Sequence, residues 1–492
     1  MKKMYSSKGF QSSELGDVDV LFYRGMYHLF HLVLPNHDYI AHAVSSDGIL
    51  WRRVKNALFI GEPGEWDDDM LWTMHVSQDP DHEGIWRMFY TGIARREGGR
   101  IQRIGLARSK DLYNWEKDQS GQYPLAITGP VYEQDMEEGR TWISCRDPFF
   151  YNDEAVRMLL VSARVAEGPI IRRGCVGVAI EEKPDHFVWQ KELFYPRMYD
   201  DVEVPGLYNI NGIYYLIGNI KEDVKVHYWH SDSLFGEYEA NTDNVLLPRG
   251  NYAGRITKSE GKYLLWSFFN SVTKGSLRRI LPPPVELTAD SHGKLHVSSY
   301  PGFSEKIVGH AVFEELRPFR KLLKNPAASW DQDNNTLGSR TGYEVFYSSK
   351  PVYSAIISAE IEIGGPGKTG MVLRGDEEGN GYYISLELKH GIAQARIWGM
   401  KDNDDIEHLF QYENLQRNHF RVNPSKKYRL SALCFGGYFE LSIDGGLVLR
   451  FVDTTYMEKS HWGFYVESAE MKIHDLEVDI LDAPQEEDHA VI

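Results

Sequence analysis

Three acidic residues of this sequence share a local context, because each is flanked by apolar residues or proline. They occur in Gly16-Asp17-Val18-Asp19-Val20, Arg146-Asp147-Pro148 and Glu203-Val204-Pro205. Acidic side chains are seldom buried unless they are paired or functional. When carboxyl groups lie close together in a buried site, the pKa of one of them rises, so that one can be charged while another carries a proton. The three acids therefore predict a site of acid–base and nucleophilic chemistry, provided that the fold brings them together.

A repeat in the first three hundred residues indicates a fold that could do so. A turn followed by alternating aromatic and apolar residues recurs near Gly25, Gly84, Asn152, Gly212 and Gly261. The five copies lie roughly 50–70 residues apart, near or above the spacing of propeller blades. Each unit contains about four short runs with the two-residue periodicity of strands. Small sheets of this kind can bury both faces by stacking radially, so the repeat predicts a five-bladed β-propeller. A long β-sandwich with ordinary hairpins is the alternative.

In a propeller, the innermost strand of each blade lines the central channel. Here that strand should precede each copy of the repeat, which gives five equivalent positions, at Gly16–Val20, Trp72–Val76, Ser144–Pro148, Asp201–Pro205 and Asn251–Arg255. Three of the five positions carry an acid. From about residue 313 onwards, strand-like runs alternate with Gly, Asp and Asn turns, which is typical of a β-sandwich. The sequence therefore predicts an all-β protein with a propeller at 1–308, a sandwich at 309–482 and an acidic tail at 483–492.

Glycoside hydrolysis is one reaction that requires such an arrangement of acids. It uses one charged and one protonated carboxyl group on either side of the scissile bond. A third carboxylate could hold sugar hydroxyls, and Arg146 would help to keep Asp147 ionised. Each acid also has a structural alternative: Asp17 or Asp19 in a strand-edge turn, Glu203 in a salt bridge at the rim, and Arg146 with Asp147 as a structural ion pair.

The composition narrows the choice of partners. The net charge of −17 argues against nucleic acid and anionic membranes. The three cysteines are far apart, no apolar segment is long enough to span a membrane, and the N-terminus lacks the apolar core of a signal peptide, so a cytoplasmic location is expected. His28, His31, His37 and His42 cluster in the sequence, but their spacing is not that of a metal motif. We expect no metal, no cofactor and a small oligosaccharide as the partner; the oligomeric state stays open.

Several segments together resemble glycoside hydrolase family 32, the fructosidase family, over nearly the whole chain. Arg146-Asp147-Pro148 resembles the family's Arg-Asp-Pro motif, and Glu203-Val204-Pro205 resembles its Glu-Cys-Pro motif. Trp72-Thr73 and His42-Ala-Val-Ser45 are similar to two further family segments. The resemblance implies that Asp147 stabilises the transition state and binds sugar hydroxyls, and that Glu203 is the acid/base catalyst.

The first motif of the family, Trp-Met-Asn-Asp-Pro-Asn-Gly, is replaced here by Glu14-Leu-Gly16-Asp17-Val-Asp19-Val. Counting back from Tyr27 places Asp17 at the family's nucleophile. Asp19 is the alternative, since it lies two residues further on and thus on the same face of a regular strand. Leu32 stands where the family often has a substrate-binding Gln. These changes put the sugar specificity in doubt.

The sequence-based hypothesis is retaining hydrolysis of a terminal furanoside, first of all a β-fructofuranoside of a short oligosaccharide. Asp17 would be the nucleophile, with Arg146, Trp72, Asp19 and His42 as substrate contacts. Two alternatives remain: an arabinofuranosidase or xylosidase of a related propeller family, and a non-catalytic sugar-binding protein.

Overall fold

A computed structural model describes residues 14–136, 139–270, 279–311, 316–318, 325–400 and 410–482. The predicted acidic tail at 483–492 lies outside these residues. The described chain is almost entirely β-structure, with short 3₁₀ helices at Arg95–Glu97, Ile170–Arg172 and Pro301–Lys306. Within these ranges, no helix has the length and apolar character needed to cross a bilayer.

Five antiparallel sheets of four or five strands follow one another along the first three hundred residues. The first sheet consists of β1 (Glu14–Tyr23), β2 (Met26–Leu34), β3 (Tyr39–Ser45), β4 (Arg52–Arg53) and β5 (Leu58–Phe59). The second consists of β6 (Met70–Gln78), β7 (Trp86–Ile93), β8 (Gln102–Ser109) and β9 (Trp115–Lys117). The third consists of β10 (Arg146–Asn152), β11 (Arg157–Arg164), β12 (Gly174–Lys183) and β13 (His186–Trp189).

The fourth sheet consists of β14 (Glu203–Ile210), β15 (Ile213–Ile220), β16 (Lys225–Ser231) and β17 (Val245–Leu247). The fifth consists of β18 (Asn251–Ser259), β19 (Lys262–Asn270), β20 (Arg279–Ile280), β21 (Val285–Ala289) and β22 (Leu295–Ser298). The predicted five-bladed propeller is confirmed. The second strand of each blade is buried along most of its length, because it packs against a neighbouring blade on both faces; every residue of β7 is buried.

The five inner strands β1, β6, β10, β14 and β18 surround the axis. Each packs against the next, and β1 also packs against β18, so the ring is closed. Every inner strand also has a β-bulge in its pairing with the second strand of its blade. A bulge leaves residues unpaired and redirects their side chains. The bulged residues Asp147, Val204 and Ala253 have φ values of 58°, 48° and 57°, so the same left-handed backbone recurs in three successive blades.

The C-terminal domain is a β-sandwich, as predicted, whose layers are joined by shared long strands. Its strands are β23 (Ile307–His310), β24 (Leu316–Pro318), β25 (Ala328–Asp331), β26 (Thr336–Ser348), β27 (Ala355–Gly364), β28 (Lys368–Gly375), β29 (Gly381–Glu387), β30 (Ile392–Met400), β31 (Phe410–His419), β32 (Lys427–Phe435), β33 (Tyr438–Ile443), β34 (Gly446–Val452) and β35 (His461–Leu481). The first half of β35 pairs with β28 and the second half with β27, so this strand passes from one layer to the other.

The core of the C-terminal domain lies between these two layers and is continuous with apolar residues of the first and fifth blades. The junction between the domains is formed by the 3₁₀ helix at Pro301–Lys306 and by β23. Because β23 pairs with β35, this strand belongs to the C-terminal sheet, and the predicted boundary at 308/309 falls within it. The two domains therefore share apolar packing in addition to the chain connection.

Candidate active site

The first residues of the inner strands surround a pocket of about 160 Å³ at the propeller axis. Five of the seven residues predicted to be catalytic or to contact the substrate line it: Asp17, Trp72, Arg146, Asp147 and Glu203. They come from four different blades and are as much as 186 positions apart in the sequence. The pocket is thus a consequence of the ring, because no single blade supplies more than a part of it.

The β-bulges of the inner strands orient the acidic side chains towards the pocket. In β1, Leu15 pairs with Val33 and Val18 with His31, so Gly16 and Asp17 together face the single residue Leu32. In β10, the left-handed backbone of Asp147 places its N–H on Thr91 Oγ1 at 3.0 Å. The Asp147 carboxylate accepts a bond of 3.0 Å from the N–H of Val204 in the next blade. Such strained backbone persists where the surrounding structure holds it, often at functional sites.

Arg146 is the cation at the centre of the acids. Its Nη2 lies 2.8 Å from Glu203 Oε1, its Nη1 donates to Ser144 Oγ at 2.6 Å, and its Nε lies 3.5 Å from Asp147 Oδ2. Arg146 is buried, which acts to lower its pKa, but the charges of Asp201, Glu203 and Asp147 outweigh burial and raise the pKa well above its usual value. The guanidinium is therefore permanently charged and compensates part of the acidic charge.

Glu203 is held from two sides. One oxygen accepts from Arg146, and Tyr252 Oη donates a short hydrogen bond to the other. Burial acts to raise the pKa of Glu203, but the charge of Arg146 and the hydrogen bond from Tyr252 outweigh it, so the pKa is lowered. With these partners Glu203 is charged at neutral pH.

The pKa of Asp17 is shifted in the opposite direction to that of Glu203. Burial, followed by the charge of Asp147, raises its pKa to about 7, although Thr73 Oγ1 donates a hydrogen bond that lowers it. The pKa of Asp147 is also raised, first by burial and then by the charge of Glu203, against the effect of Arg146. Since one arginine cannot compensate three buried or half-buried carboxylates, the site holds a proton near neutral pH that is shared by Asp17 and Asp147.

Two residues proposed as substrate contacts lie outside the pocket. The structure corrects the position of Asp19: after the bulge it no longer shares a face with Asp17, and it is buried between β1 and β6. The N–H of Val76 donates to Asp19 Oδ2 at 2.7 Å, and His75 and Arg255 lie 3.4 and 3.8 Å from Oδ1. These groups outweigh burial and lower the pKa of Asp19, so it is a structural anion.

The structure also corrects the position of His42. This residue lies on β3, the third strand of its blade, and is fully buried away from the axis. It stacks on Phe30 with 4.4 Å between ring centroids and shares a 3.1 Å hydrogen bond with His28. Burial lowers its pKa well below the usual value. His42 is therefore a neutral core histidine in the first blade.

Sequence reasoning missed several pocket residues, among them Thr73, Tyr252, His37, Leu34 and Arg279. Thr73 and Tyr252 belong to the inner strands, so their equivalence to the acidic positions was a usable signal. His37, which stood out only as one of four clustered histidines, lies in the turn between β2 and β3. Arg279 lies on β20, and nothing in its local sequence marks it. Among the residues that the structure describes, no cluster of three or more His, Cys, Asp or Glu side chains is placed to hold a metal ion.

The sequence matches the model of the N-terminal domain of glycosyl hydrolases family 32 over residues 17–273, a range that begins at Asp17 within β1 and includes the other four inner strands. The chain belongs to glycosyl hydrolase family 32. It is accordingly a glycosidase, and the pocket at the propeller axis is its candidate active site.

Three solved structures show a similar fold over nearly the whole chain. Fructan 1-exohydrolase IIa from Cichorium intybus is 14% identical, with 98% of each chain covered and a TM-score of 0.71. Exo-inulinase from Aspergillus awamori is 13% identical, with 98% of each chain covered and a TM-score of 0.70. Sucrose-6-phosphate hydrolase from Lactobacillus gasseri is 14% identical, covering 95% of this chain and 91% of the other, with a TM-score of 0.67. A comparison with curated protein sequences gave no match.

Proposed function

We propose that this family 32 glycosidase releases a terminal β-fructofuranosyl unit from a short oligosaccharide, with retention of configuration. The observation that carries the proposal is the convergence of Asp17, Asp147 and Glu203 on a pocket of about 160 Å³. This volume is below the roughly 300–1,000 Å³ of pockets for drug-sized ligands and suits a single sugar ring. The similar structures from chicory and Aspergillus, a fructan 1-exohydrolase and an exo-inulinase, support a fructofuranoside as the first candidate.

In the proposed reaction, an oxygen of Asp17 bonds to the anomeric carbon while the bond to the leaving oxygen breaks. The leaving oxygen takes its proton from Glu203. In the second half, Glu203 takes a proton from water, whose oxygen bonds to the anomeric carbon as Asp17 departs. Asp147, held by the N–H of Val204, would accept hydrogen bonds from sugar hydroxyls and stabilise the positive charge that develops on the ring.

The two reacting acids have the reverse of the proton affinities that this reaction requires. The pKa of Asp17 is raised and that of Glu203 is lowered, whereas attack needs a charged Asp17 and a protonated Glu203. Sugar hydroxyls that bind Arg146 would weaken its 2.8 Å contact with Glu203. Because that contact lowers the pKa of Glu203, its loss would move the shared proton from Asp17 to Glu203. Substrate binding would thus prepare both groups for their roles.

A change at Thr73 tests whether Asp17 belongs to the reacting pair. Thr73→Val removes the hydrogen bond that lowers the pKa of Asp17, so this pKa should rise further above about 7. Because Asp17 has the higher pKa of the reacting pair in the free enzyme, its ionisation sets the alkaline limb of kcat/KM. We expect this limb to move to higher pH, by about 0.5–1 unit. Thr73→Ser, which retains the hydroxyl, is the control and should keep the wild-type profile. Identical pH profiles for Thr73→Val and wild type would argue against Asp17 as a member of the reacting pair.

An arabinofuranoside is the second candidate substrate, and the apolar wall of the pocket favours it. Leu32 lies opposite the bulge that carries Asp17, and Leu34 lies beside it. A Cβ atom added at Gly16 would lie only 2.6 Å from Leu34 Cδ1 and 2.9 Å from Leu32 Cβ, so both leucines pack directly on the backbone next to Asp17. A fructofuranoside has a hydroxymethyl group on its anomeric carbon that an arabinofuranoside lacks, and leucine cannot hydrogen-bond it.

Parallel assays on sucrose, 1-kestose, inulin, and nitrophenyl arabinofuranoside and xyloside distinguish the candidates. Faster hydrolysis of sucrose or 1-kestose supports the fructosidase, and hydrolysis of the nitrophenyl pentosides alone supports the alternative. Binding of these sugars without any turnover would indicate a sugar-binding protein and contradict the proposal. The configuration of the methyl glycoside formed in methanol reports retention or inversion.

Leu32→Gln should shift the selectivity towards fructosides. Glutamine would offer a hydrogen-bonding group beside the anomeric hydroxymethyl, and we expect the ratio of kcat/KM for 1-kestose to that for the arabinofuranoside to rise about tenfold, equivalent to one hydrogen bond of about 1.4 kcal/mol. Leu32→Met, which preserves the apolar wall, is the matched control. An unchanged ratio in Leu32→Gln would show that this wall does not contact the anomeric substituent.

A further inference from the structure

The C-terminal domain inserts a buried arginine into the edge of the propeller. Arg450, on β34, is fully buried. Its Nη1 donates to Asn251 Oδ1 and to Ser267 Oγ, both at 2.8 Å, and its Nη2 donates to Pro283 O at 2.6 Å. All three partners belong to the fifth blade. A charged side chain is costly to bury unless its donors are satisfied, so this arrangement fixes the blade relative to the sandwich.

Gln416, on β31, extends the same contact. Its Nε2 donates to Arg249 O and to Arg450 O, both at 2.7 Å, while its Oε1 accepts from the N–H of Arg450 at 2.7 Å. Asn251 Nδ2 also donates to Arg450 O at 3.3 Å. The segment that leads into β18 is therefore held by two residues of the C-terminal domain, Arg450 and Gln416, which we call the interdomain clamp.

The clamp holds Asn251, the residue directly before Tyr252, whose side chain contacts Glu203. Asn251 is the first residue of β18, and the next residue is Tyr252, whose hydroxyl donates to Glu203 Oε2. Tyr252 lines the pocket on a bulged strand, where the following residue, Ala253, has a φ of 57°. Neither Arg450 nor Gln416 lines the pocket. An influence of the clamp on the chemistry would therefore have to pass through the placement of Tyr252.

We propose that Arg450 is a positioning residue of the active site, which sets the hydrogen bond from Tyr252 to Glu203 by fixing Asn251 at the start of β18. The C-terminal domain would thereby tune the proton affinity of the acid/base catalyst in addition to stabilising the propeller. The inference rests on the proposed function, since it takes Glu203 as the acid/base catalyst. Its consequence is specific: loosening the clamp lengthens the Tyr252–Glu203 bond, destabilises the charged form of Glu203 and raises its pKa.

The experiment compares pH profiles of kcat/KM for full-length variants. Asn251→Ser removes the propeller side of the clamp while Arg450 keeps Ser267 and Pro283, and Arg450→Gln removes the guanidinium. Both should move the acidic limb upward, by about 0.5–1 pH unit, because Glu203 has the lower pKa of the reacting pair in the free enzyme. Lys306→Met is the control, because it breaks another contact between the domain junction and the propeller, the 2.6 Å bond to Asp47, far from β18 in the sequence. It should lower Tm without moving the profile.

Double variants separate positioning from stabilisation. In a Tyr252→Phe background, Asn251→Ser should cause no additional shift, because the bond through which it acts is already absent. Lower Tm with an unchanged profile in Asn251→Ser would overturn the inference, and so would a full additional shift in the double variant. If Arg450→Gln does not fold, the pH profile and Tm of Asn251→Ser alone distinguish positioning from stabilisation.

Failure of the proposed function is recognised separately, as absence of hydrolysis of every glycoside by the wild-type protein. In that case crystal structures of the wild type and Asn251→Ser still test the inference. A lengthened Tyr252–Glu203 distance in the variant supports positioning, and an unchanged distance refutes it.

Discussion

Glu203→Gln is expected to lower kcat on sucrose or 1-kestose about 10²–10⁴-fold, the usual contribution of a positioned general acid. The variant should fold, because Arg146 retains Asp201 and Asp147 as partners, at 3.4 and 3.5 Å. An amide cannot donate the proton that the leaving oxygen needs, nor can it activate water in the second step. Steady-state kinetics together with a thermal melt measure both effects.

The dependence on leaving group makes the test specific for an acid/base role. A substrate with an acidic leaving group, such as a nitrophenol, needs little protonation, so the first step should be nearly normal and the second slow. Azide, which attacks without a general base, should then restore turnover and give a glycosyl azide. Glu222→Gln changes an exposed carboxylate in the nearby loop and serves as the control, with activity close to wild type. Full activity of Glu203→Gln on sucrose and 1-kestose would exclude Glu203 as the acid.

Much of this site could be predicted from the sequence because the propeller repeats itself. The repeat identified the inner strand of every blade, and that alone was enough to bring Asp147 and Glu203 from distant segments to one axis. Both acids stand at the bulged part of an inner strand, Asp147 directly before Pro148 and Glu203 two residues before Pro205. Arg146 could be predicted as a site residue because it is adjacent to Asp147, and a buried acid needs a compensating charge.

Other parts of the site could not be predicted, for identifiable reasons. Strict alternation along β1 placed Asp17 and Asp19 on one face, and only the bulge between Leu15 and Val18 separates them. A bulge depends on the pairing partner, so a single strand does not reveal it. His42 lies in a segment that resembles the family, but on the third strand of its blade, where such a segment serves the core. Arg450 and Asn251 are 199 positions apart in the sequence, and no local sequence pattern predicts their contact.

The neighbouring aspartates Asp17 and Asp19 should respond in opposite ways to the same substitution. Asp17→Asn removes the proposed nucleophile, and we expect kcat to fall about 10⁴-fold or more, since no covalent intermediate can form. The same change should stabilise the fold near pH 7. The native pKa of about 7 exceeds the usual 3.8, so ionisation opposes folding at neutral pH. At 1.36 kcal/mol per pKa unit the gain is at most about 4 kcal/mol, and less because the Asp17 side chain is only half-buried.

Asp19→Asn should leave the chemistry nearly intact and destabilise the fold. The lowered pKa of Asp19 means that its charged form contributes stability above its usual pKa, and that this contribution is lost as pH falls through the native value. Breaking a buried ion pair of this kind costs about 3–5 kcal/mol at neutral pH. Chemical denaturation at pH 7 and at several pH values below the usual pKa of 3.8 should show a difference from wild type that shrinks as the pH falls. If instead Asp19→Asn abolished turnover while Asp17→Asn retained it, Asp19 would be the nucleophile, and the bulge in β1 would have to differ in the working enzyme.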